Sequence, residues 1–269
     1  MAEISIARDA GVAVCTLTPP DGYMTQTTVD ELDKVTSELA EDDAVRAVVL
    51  TGGHDGVFIR HYSVVELEEM SRKLRGRNLT VTPERPIPER ALDYVFKRMG
   101  AMPKAVIAAV NGTAMGGGFE LALACDIRIA ASGDFALGLP EINIGLLPGA
   151  GGTQRLARIV GPARALEMVL RGRTVTPSEA LALGLVHEVV GPPPVTRAVE
   201  LAKELAAKPP LAVAHIKRLI RDDASRPLDE GLAMERTLFL DLLSSDDALD
   251  RMHKMNTGDL DIRSTDLDS

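Results

Sequence analysis

Two glutamates are the side chains best suited to chemistry. Glu120 and Glu141 stand 21 positions apart, and each neighbours a glycine-rich stretch that leads into a helical pattern. The first lies in AAVNGTAMGGGFELALACD (108–126), where an apolar run stops at Asn111-Gly112 and Gly116, Gly117 and Gly118 open a helix. Glycines there let a ligand approach the backbone, and free N–H groups at a helix start stabilise developing negative charge. Glu120 falls in that first turn among Phe119, Leu121, Ala122 and Leu123. Apolar company favours a protonated carboxyl, as acid/base work near neutrality requires. The plainer reading is a glutamate satisfied by the helix dipole. The second stretch is LPEINIGLLPGAGGTQRL (139–156), with Glu141 after Pro140 and Gly149, Gly151 and Gly152 before another helix. No lysine or P-loop pattern supports phosphate cradling there, so the glycines are read as a tight turn. Two carboxylates so placed suit paired acid/base work, although spacing alone leaves open whether they converge.

Other catalytic signatures are absent: no G-x-G-x-x-G, G-x-S-x-G, H-E-x-x-H, C-x-x-C or P-loop occurs. The five histidines (His54, His61, His187, His215 and His253) show no ligand spacing and read mostly as surface residues, so no metal site is expected.

The elements that must position these residues alternate strand and helix. Residues 3–18 alternate apolar and polar around Asp9-Ala10-Gly11, a hairpin signal. Thr28 then precedes a helix with Val29, Leu32, Thr36 and Leu39 on one face and Glu31 at its third position. Buried strands are predicted at 45–51, 104–110, 126–131 and 186–190, with helices at 89–99, 154–160, 163–170 and 178–183. The stretch 71–90 carries six basic against two acidic residues and three prolines, and is read as an extended surface loop, either a plain solvated connector or a basic lid near an anionic ligand. After Gly191 and three prolines the pattern is helical only, at 195–207, 210–222 and 228–244. This places an α/β core at 1–194 and a helical region at 195–269 whose final dozen residues are read as frayed.

Composition narrows the function classes. The chain has 269 residues and is 45% hydrophobic, enough for one large core. A net charge of −9, five Phe, three Tyr and no Trp argue against nucleic-acid binding. The two cysteines, Cys15 and Cys125, sit in apolar runs and cannot form a disulfide framework, so packed thiols in a reducing compartment are expected. No apolar run reaches membrane-spanning length and no targeting segment is visible, so the expected location is the cytoplasm, with no membrane partner.

KAVIAAVNGTAMGGGFELALACDIRIAA, followed by GLPEINIGLLPGAGGTQRLARIVG and later ALALGLVHEVV, resembles the central signature of the crotonase (enoyl-CoA hydratase/isomerase) superfamily, most of all its enoyl-CoA hydratases. The resemblance implies an α/β spiral of ββα units with a helical C-terminal oligomerisation region, forming a homotrimer or homohexamer. It implies an acyl-CoA thioester as ligand, with CoA as part of the substrate and no separate cofactor. The thioester oxygen would sit between two backbone N–H groups, one from Gly117 and one from Arg60, with Ile59, Arg60, His61, Tyr62, Gly116 and Gly117 around the substrate. Hydratases of this family carry two glutamates, matched here by Glu120, which would help activate water, and Glu141, which would protonate the α-carbon. Where the family usually has a run of the F-x-A-G-[AG]-D type, this chain reads Phe58-Ile59-Arg60-His61-Tyr62-Ser63. The implied reaction is hydration of a trans-2-enoyl-CoA to a 3-hydroxyacyl-CoA. Isomerisation, thioester hydrolysis, retro-aldol cleavage or non-catalytic acyl-CoA binding remain as alternatives.

Overall fold

The structure is a computed structural model and describes residues 2–77, 81–221 and 226–262. Strands β1 (Ile4–Asp9) and β2 (Val12–Leu17) form the expected antiparallel hairpin, turning at Ala10 and Gly11, both at positive φ. Helix α1 (Gln26–Glu41) follows. Its cap is Thr25 rather than Thr28, because these two hydroxyls form a reciprocal capping box. Glu31 is therefore spared from capping, and its Oε2 accepts the Glu3 and Ile4 N–H groups at 2.9 Å each.

From here the chain repeats one unit, a longer strand, a shorter strand and a helix. The first repeat is β3 (Ala47–Gly52), β4 (Val57–Ile59) and α2 (Val64–Arg75), followed by α3 (Ala91–Ala101). The second is β5 (Ala105–Val110), β6 (Thr113–Met115) and α4 (Gly117–Ala124). The third, β7 (Ile127–Ala131) and β8 (Leu137–Gly138), ends in a 3-10 turn at Glu141–Ile144 instead of a helix. Helices α5 (Gly152–Val160) and α6 (Pro162–Leu170), strand β9 (Thr174–Val175), helix α7 (Pro177–Ala182) and strand β10 (Glu188–Val190) complete the core. Helices α8 (Pro194–Ala206), α9 (Pro210–Arg221), α10 (Leu228–Leu243) and α11 (Asp246–Thr257) follow.

The first strand of each repeat joins a six-stranded sheet of order β1-β2-β3-β5-β7-β10, parallel apart from the first hairpin. The second joins a smaller sheet, β4-β6-β8-β9. Each repeat thus crosses from one sheet to the other, which is the expected α/β spiral of ββα units. AVVL of β3 and AVIAAV of β5 are apolar throughout because both faces of the large sheet are covered. On one face lie Leu32, Phe96, Phe119 and Leu121 from α1, α3 and α4. On the other, Ala198 and Ala202 of α8 meet Val49, Ile107 and Ile129.

Helix α9 is anchored to that core by Lys217. Its buried ammonium donates to the Met99 and Lys104 carbonyls, 2.9 Å each, and pairs with Asp126 at 2.8 Å. Asp126 also pairs with Arg221 at 3.0 Å.

One expectation is corrected. Residues 71–75 are not loop: α2 reaches Arg75 and is capped by Ser63, with Arg72, Lys73 and Arg75 in the last turn, where the negative end of the helix dipole favours cations. A further helix of the C-terminal region, α11 at Asp246–Thr257, is capped by Ser245 and laced by Asp247–Arg251 and Asp250–Lys254 pairs. The end of the region expected to fray, 263–269, lies outside the described residues. Among the described residues no helix is long and apolar enough to cross a membrane, and no group of three His, Cys, Asp or Glu side chains is arranged to hold a metal.

Candidate active site

The junction between β6 and α4 builds the first half of the site. Gly116 takes φ +48°, turning the chain sharply from strand into helix, and its N–H is held by the Gly138 carbonyl at 3.0 Å. Every residue of α4 is buried, so Glu120 is carried into the interior with 3% exposure. Its Oε1 accepts two backbone N–H groups, from Ala150 at 2.8 Å and Gly152 at 2.7 Å.

Those donors come from the second glycine-rich stretch. It is a tight turn, as expected, and its ligand is the protein's own carboxylate. The turn is braced from outside: Arg155 donates to the Ala150 carbonyl at 2.7 Å, and Arg90, ion-paired to Asp93 at 3.0 Å, donates to the Gly149 carbonyl. Burial pushes the Glu120 carboxyl above the usual range. The two N–H groups and the nearby charges of Arg155 and Arg90 oppose that rise without cancelling it.

Glu141 has the opposite surroundings. Both its carboxylate oxygens are shielded from solvent, and neither has a hydrogen-bond partner among the described residues. Burial, opposed by its own backbone N–H and reinforced by the charge of Glu120, pushes its carboxyl up to about 7. The absent side chain of Gly116 makes room for it, since a Cβ there would stand 3.2 Å from Glu141 Oε1. Both carboxylates open onto one cavity of about 430 Å³. The 21-residue spacing therefore does bring them together.

His61, Tyr62, Gly116 and Gly117 also line this cavity, while Ile59 and Arg60 do not. Ile59 is fully buried in the core, so it cannot touch a substrate. The Arg60 N–H donates to the Gly22 carbonyl at 2.8 Å, and the exposed guanidinium bonds the Asp21 carbonyl at 3.1 Å, outside the cavity. Arg60 therefore cannot supply the second N–H expected of it. Tyr62, two positions on, does line the cavity. Met24 pairs with it in parallel: the Met24 N–H donates to the His61 carbonyl at 2.9 Å and the Met24 carbonyl accepts the Ser63 N–H at 2.7 Å. Such pairing directs the Tyr62 N–H to the other side, where Gly117 lies; a Cβ on Gly117 would be 3.6 Å from that nitrogen. Neither the Tyr62 nor the Gly117 N–H finds an acceptor among the described residues.

A sequence signal for Tyr62 existed in the repeat. Gly117 begins the helix of the second ββα unit, and Tyr62 immediately precedes Ser63, the cap of the helix in the first. Locating the start of α2 would have located the donor. Three of the histidines are more enclosed than expected: His54, His61 and His215 are half-buried, His61 with Nδ1 against the Tyr62 carbonyl at 2.8 Å, while His187 and His253 are exposed. Away from the carboxylates the cavity turns apolar, with Val29 of α1, Leu67 and Met70 of α2, Leu92 of α3, and Ile144 and Leu147 beyond Glu141.

The spiral of ββα units thus brings paired carboxylates and two unengaged N–H groups to one cavity. Residues 7–256 match the family described as Enoyl-CoA hydratase/isomerase, and the chain belongs to that family. It is 35% identical over 252 residues to the short-chain-enoyl-CoA hydratase of Clostridium acetobutylicum, a match covering 93% of this chain and 92% of that protein. It is 36% identical over 256 residues to the 2,3-dehydroadipyl-CoA hydratase of Escherichia coli, covering 92% of each. Among solved structures it is similar to the enoyl-CoA hydratase of Bacillus anthracis, with a TM-score of 0.83 and 31% identity over 95% of this chain and 96% of that one.

Proposed function

We propose that the protein is an enzyme that adds water across the double bond of a trans-2-enoyl-CoA thioester to give a 3-hydroxyacyl-CoA. The observation that carries the reading is the contrast between its two converging carboxylates. Glu120 has one oxygen held by two N–H groups, which leaves the other to orient water. Glu141 is unpartnered and pushed up to about 7, so near neutrality it has a proton to give.

In the forward direction the water oxygen bonds to C3 as Glu120 takes its proton. The C2–C3 π electrons move toward the thioester, and charge builds on its oxygen between the Tyr62 and Gly117 N–H groups. Glu141 protonates C2, the carbonyl re-forms, and a proton returning from Glu120 to Glu141 through solvent closes the cycle with a net gain of one water. The oxygen charge is greatest near the transition state, so preset donors favour that state selectively, and one such donor is worth on the order of 10²–10³ in rate. No electron leaves the substrate in this scheme, which needs no redox group or metal, and CoA enters with the substrate.

The apolar end of the cavity accommodates the acyl chain. A homotrimer or homohexamer is proposed as the working form, supported by Leu228, Leu232, Phe239 and Leu240, which leave α10 an exposed apolar face. The test is incubation with crotonyl-CoA, following the conjugated thioester absorbance and the product mass, with Glu120→Gln and Glu141→Gln in parallel. Rapid loss in the wild type, a product one water heavier, and inactivity of both variants are expected. A product of unchanged mass would replace hydration with isomerisation.

A further inference from the structure

Tyr62 brings a bulky side chain to the proposed oxyanion site. Its ring lines the cavity, and its Cβ lies 3.5 Å from where a Cβ on Gly117 would stand, so the bulk of the side chain adjoins the place where a thioester oxygen would sit. The ring packs in part against the hydrophobic core, and its polar end is held by one hydrogen bond. The Tyr62 hydroxyl donates to Glu66 Oε2 at 2.8 Å, one helical turn along in α2. The same oxygen accepts the Gln26 N–H at 2.9 Å, the first residue of α1. One carboxylate thus ties the segment carrying the donor to the starts of two helices. The main chain around Tyr62 is pinned as well, with the Met115 N–H on the Arg60 carbonyl at 2.9 Å and the Ser63 N–H on the Met24 carbonyl at 2.7 Å. The Tyr62 N–H itself finds no acceptor among the described residues, so main-chain pairing sets its side and the side-chain tether adds to how firmly it is held there.

We infer that the Tyr62–Glu66 hydrogen bond is a latch that fixes the Tyr62 amide as an oxyanion donor, making the Tyr62 hydroxyl and Glu66 positioning groups for hydration. The inference rests on the function proposed above. A hydrogen bond to a carboxylate is stronger and shorter than one between neutral groups, so it holds a bulky ring in one rotamer better than packing against an open cavity would. Burial and the neighbouring carboxylate both push the phenol above its ordinary range, so the hydroxyl stays protonated and the latch stays closed at working pH. An amide misdirected by a fraction of an ångström loses stabilisation chiefly in the transition state, and misplacement of about 1 Å costs on the order of 10²-fold.

The test uses Tyr62→Phe, Glu66→Leu and Glu66→Gln in the full chain. Two readouts are taken: steady-state hydration, and the absorbance of bound para-dimethylaminocinnamoyl-CoA, whose red shift reports how strongly the thioester carbonyl is polarised. Tyr62→Phe and Glu66→Leu are expected to lower kcat by about 10-fold, with KM within about twofold, and to move the bound absorbance back toward that of the free thioester. Glu66→Gln keeps an oxygen acceptor and is expected to retain most of both signals. Unchanged absorbance and kcat in Tyr62→Phe, which removes only the hydroxyl, would overturn the latch, as would a loss confined to KM. The absorbance readout needs no turnover. A wild type that polarises the probe but hydrates no enoyl-CoA would therefore remove the proposed reaction while still testing the latch.

Discussion

Replacing Glu141 with glutamine should make the protein more stable at alkaline pH while abolishing its chemistry. Both Glu141 oxygens are shielded and unpartnered, and the carboxyl is raised from the ordinary 4.5 to about 7. The unfolded chain releases this proton near 4.5, whereas the folded protein keeps it to about 7, so across that window the folded state binds more protons. The contribution of the neutral carboxyl to stability is fully present below 4.5 and is lost as pH rises through about 7. Converted at about 1.36 kcal/mol per pH step, the whole rise corresponds to roughly 3 kcal/mol at most. Water at the cavity mouth screens part of it, leaving about 1–2 kcal/mol. Glutamine has the same shape and no charge to bury. Urea unfolding at fixed protein concentration should therefore show Glu141→Gln more stable than wild type by about 1–2 kcal/mol at pH 8.5, shrinking to roughly a quarter of that at pH 5, where little of the window has been crossed. A difference of equal size at both pH values, or a variant less stable at pH 8.5, would refute the burial argument.

The same carboxyl should set the alkaline limb of kcat/KM near pH 7, because the proposed proton donor is lost above it; a pH–rate profile flat from 6 to 9 would remove Glu141 from that role. Glu120→Gln should lower kcat by about 10²–10⁴-fold with the fold retained, checked by steady-state rates and circular dichroism. Gly152→Ala places a Cβ 2.8 Å from both Glu120 Oε1 and Pro148 Cβ, so it should displace the carboxylate and reduce kcat by about 10-fold or more, read from the same assay. Lys217→Met leaves two carbonyls and Asp126 without their buried cation and should cost about 3 kcal/mol or more, measured by thermal unfolding.

The parts of this molecule that were legible in its sequence are those whose cause is local. The hairpin at Gly11 and the helix start at Gly116 announce themselves because few residues tolerate the positive φ required, and Gly118 because a Cβ there would stand 2.1 Å from the Ile59 carbonyl oxygen. The buried strands were readable because both their faces are covered. Helix α2 escaped notice for a complementary reason: it buries no residue in the core, and its Leu67 and Met70 face a cavity instead. Missing α2 carried a second error with it, since Tyr62, the donor proposed here, lies just before the α2 cap. The resemblance pointed to Arg60, and a motif does not show that Gly22 already holds the Arg60 N–H. Non-local partners of this kind are invisible to periodicity.

The repeat explains why the site forms where it does. The strand-to-helix junction of the first ββα unit presents the Tyr62 N–H, and that of the second presents the Gly117 N–H and, one turn later, Glu120. In the third unit the helix is replaced by a 3-10 turn, which leaves Glu141 at the cavity wall with no helix to satisfy it. The chain then makes one more helix start, at α5, and spends its free N–H groups on Glu120. A regular third helix would have paired its backbone internally and carried Glu141 onto a helical face. The break in the repeat is therefore what separates the two carboxylates chemically, one held and oriented, the other unpartnered and ready to hold a proton near neutrality.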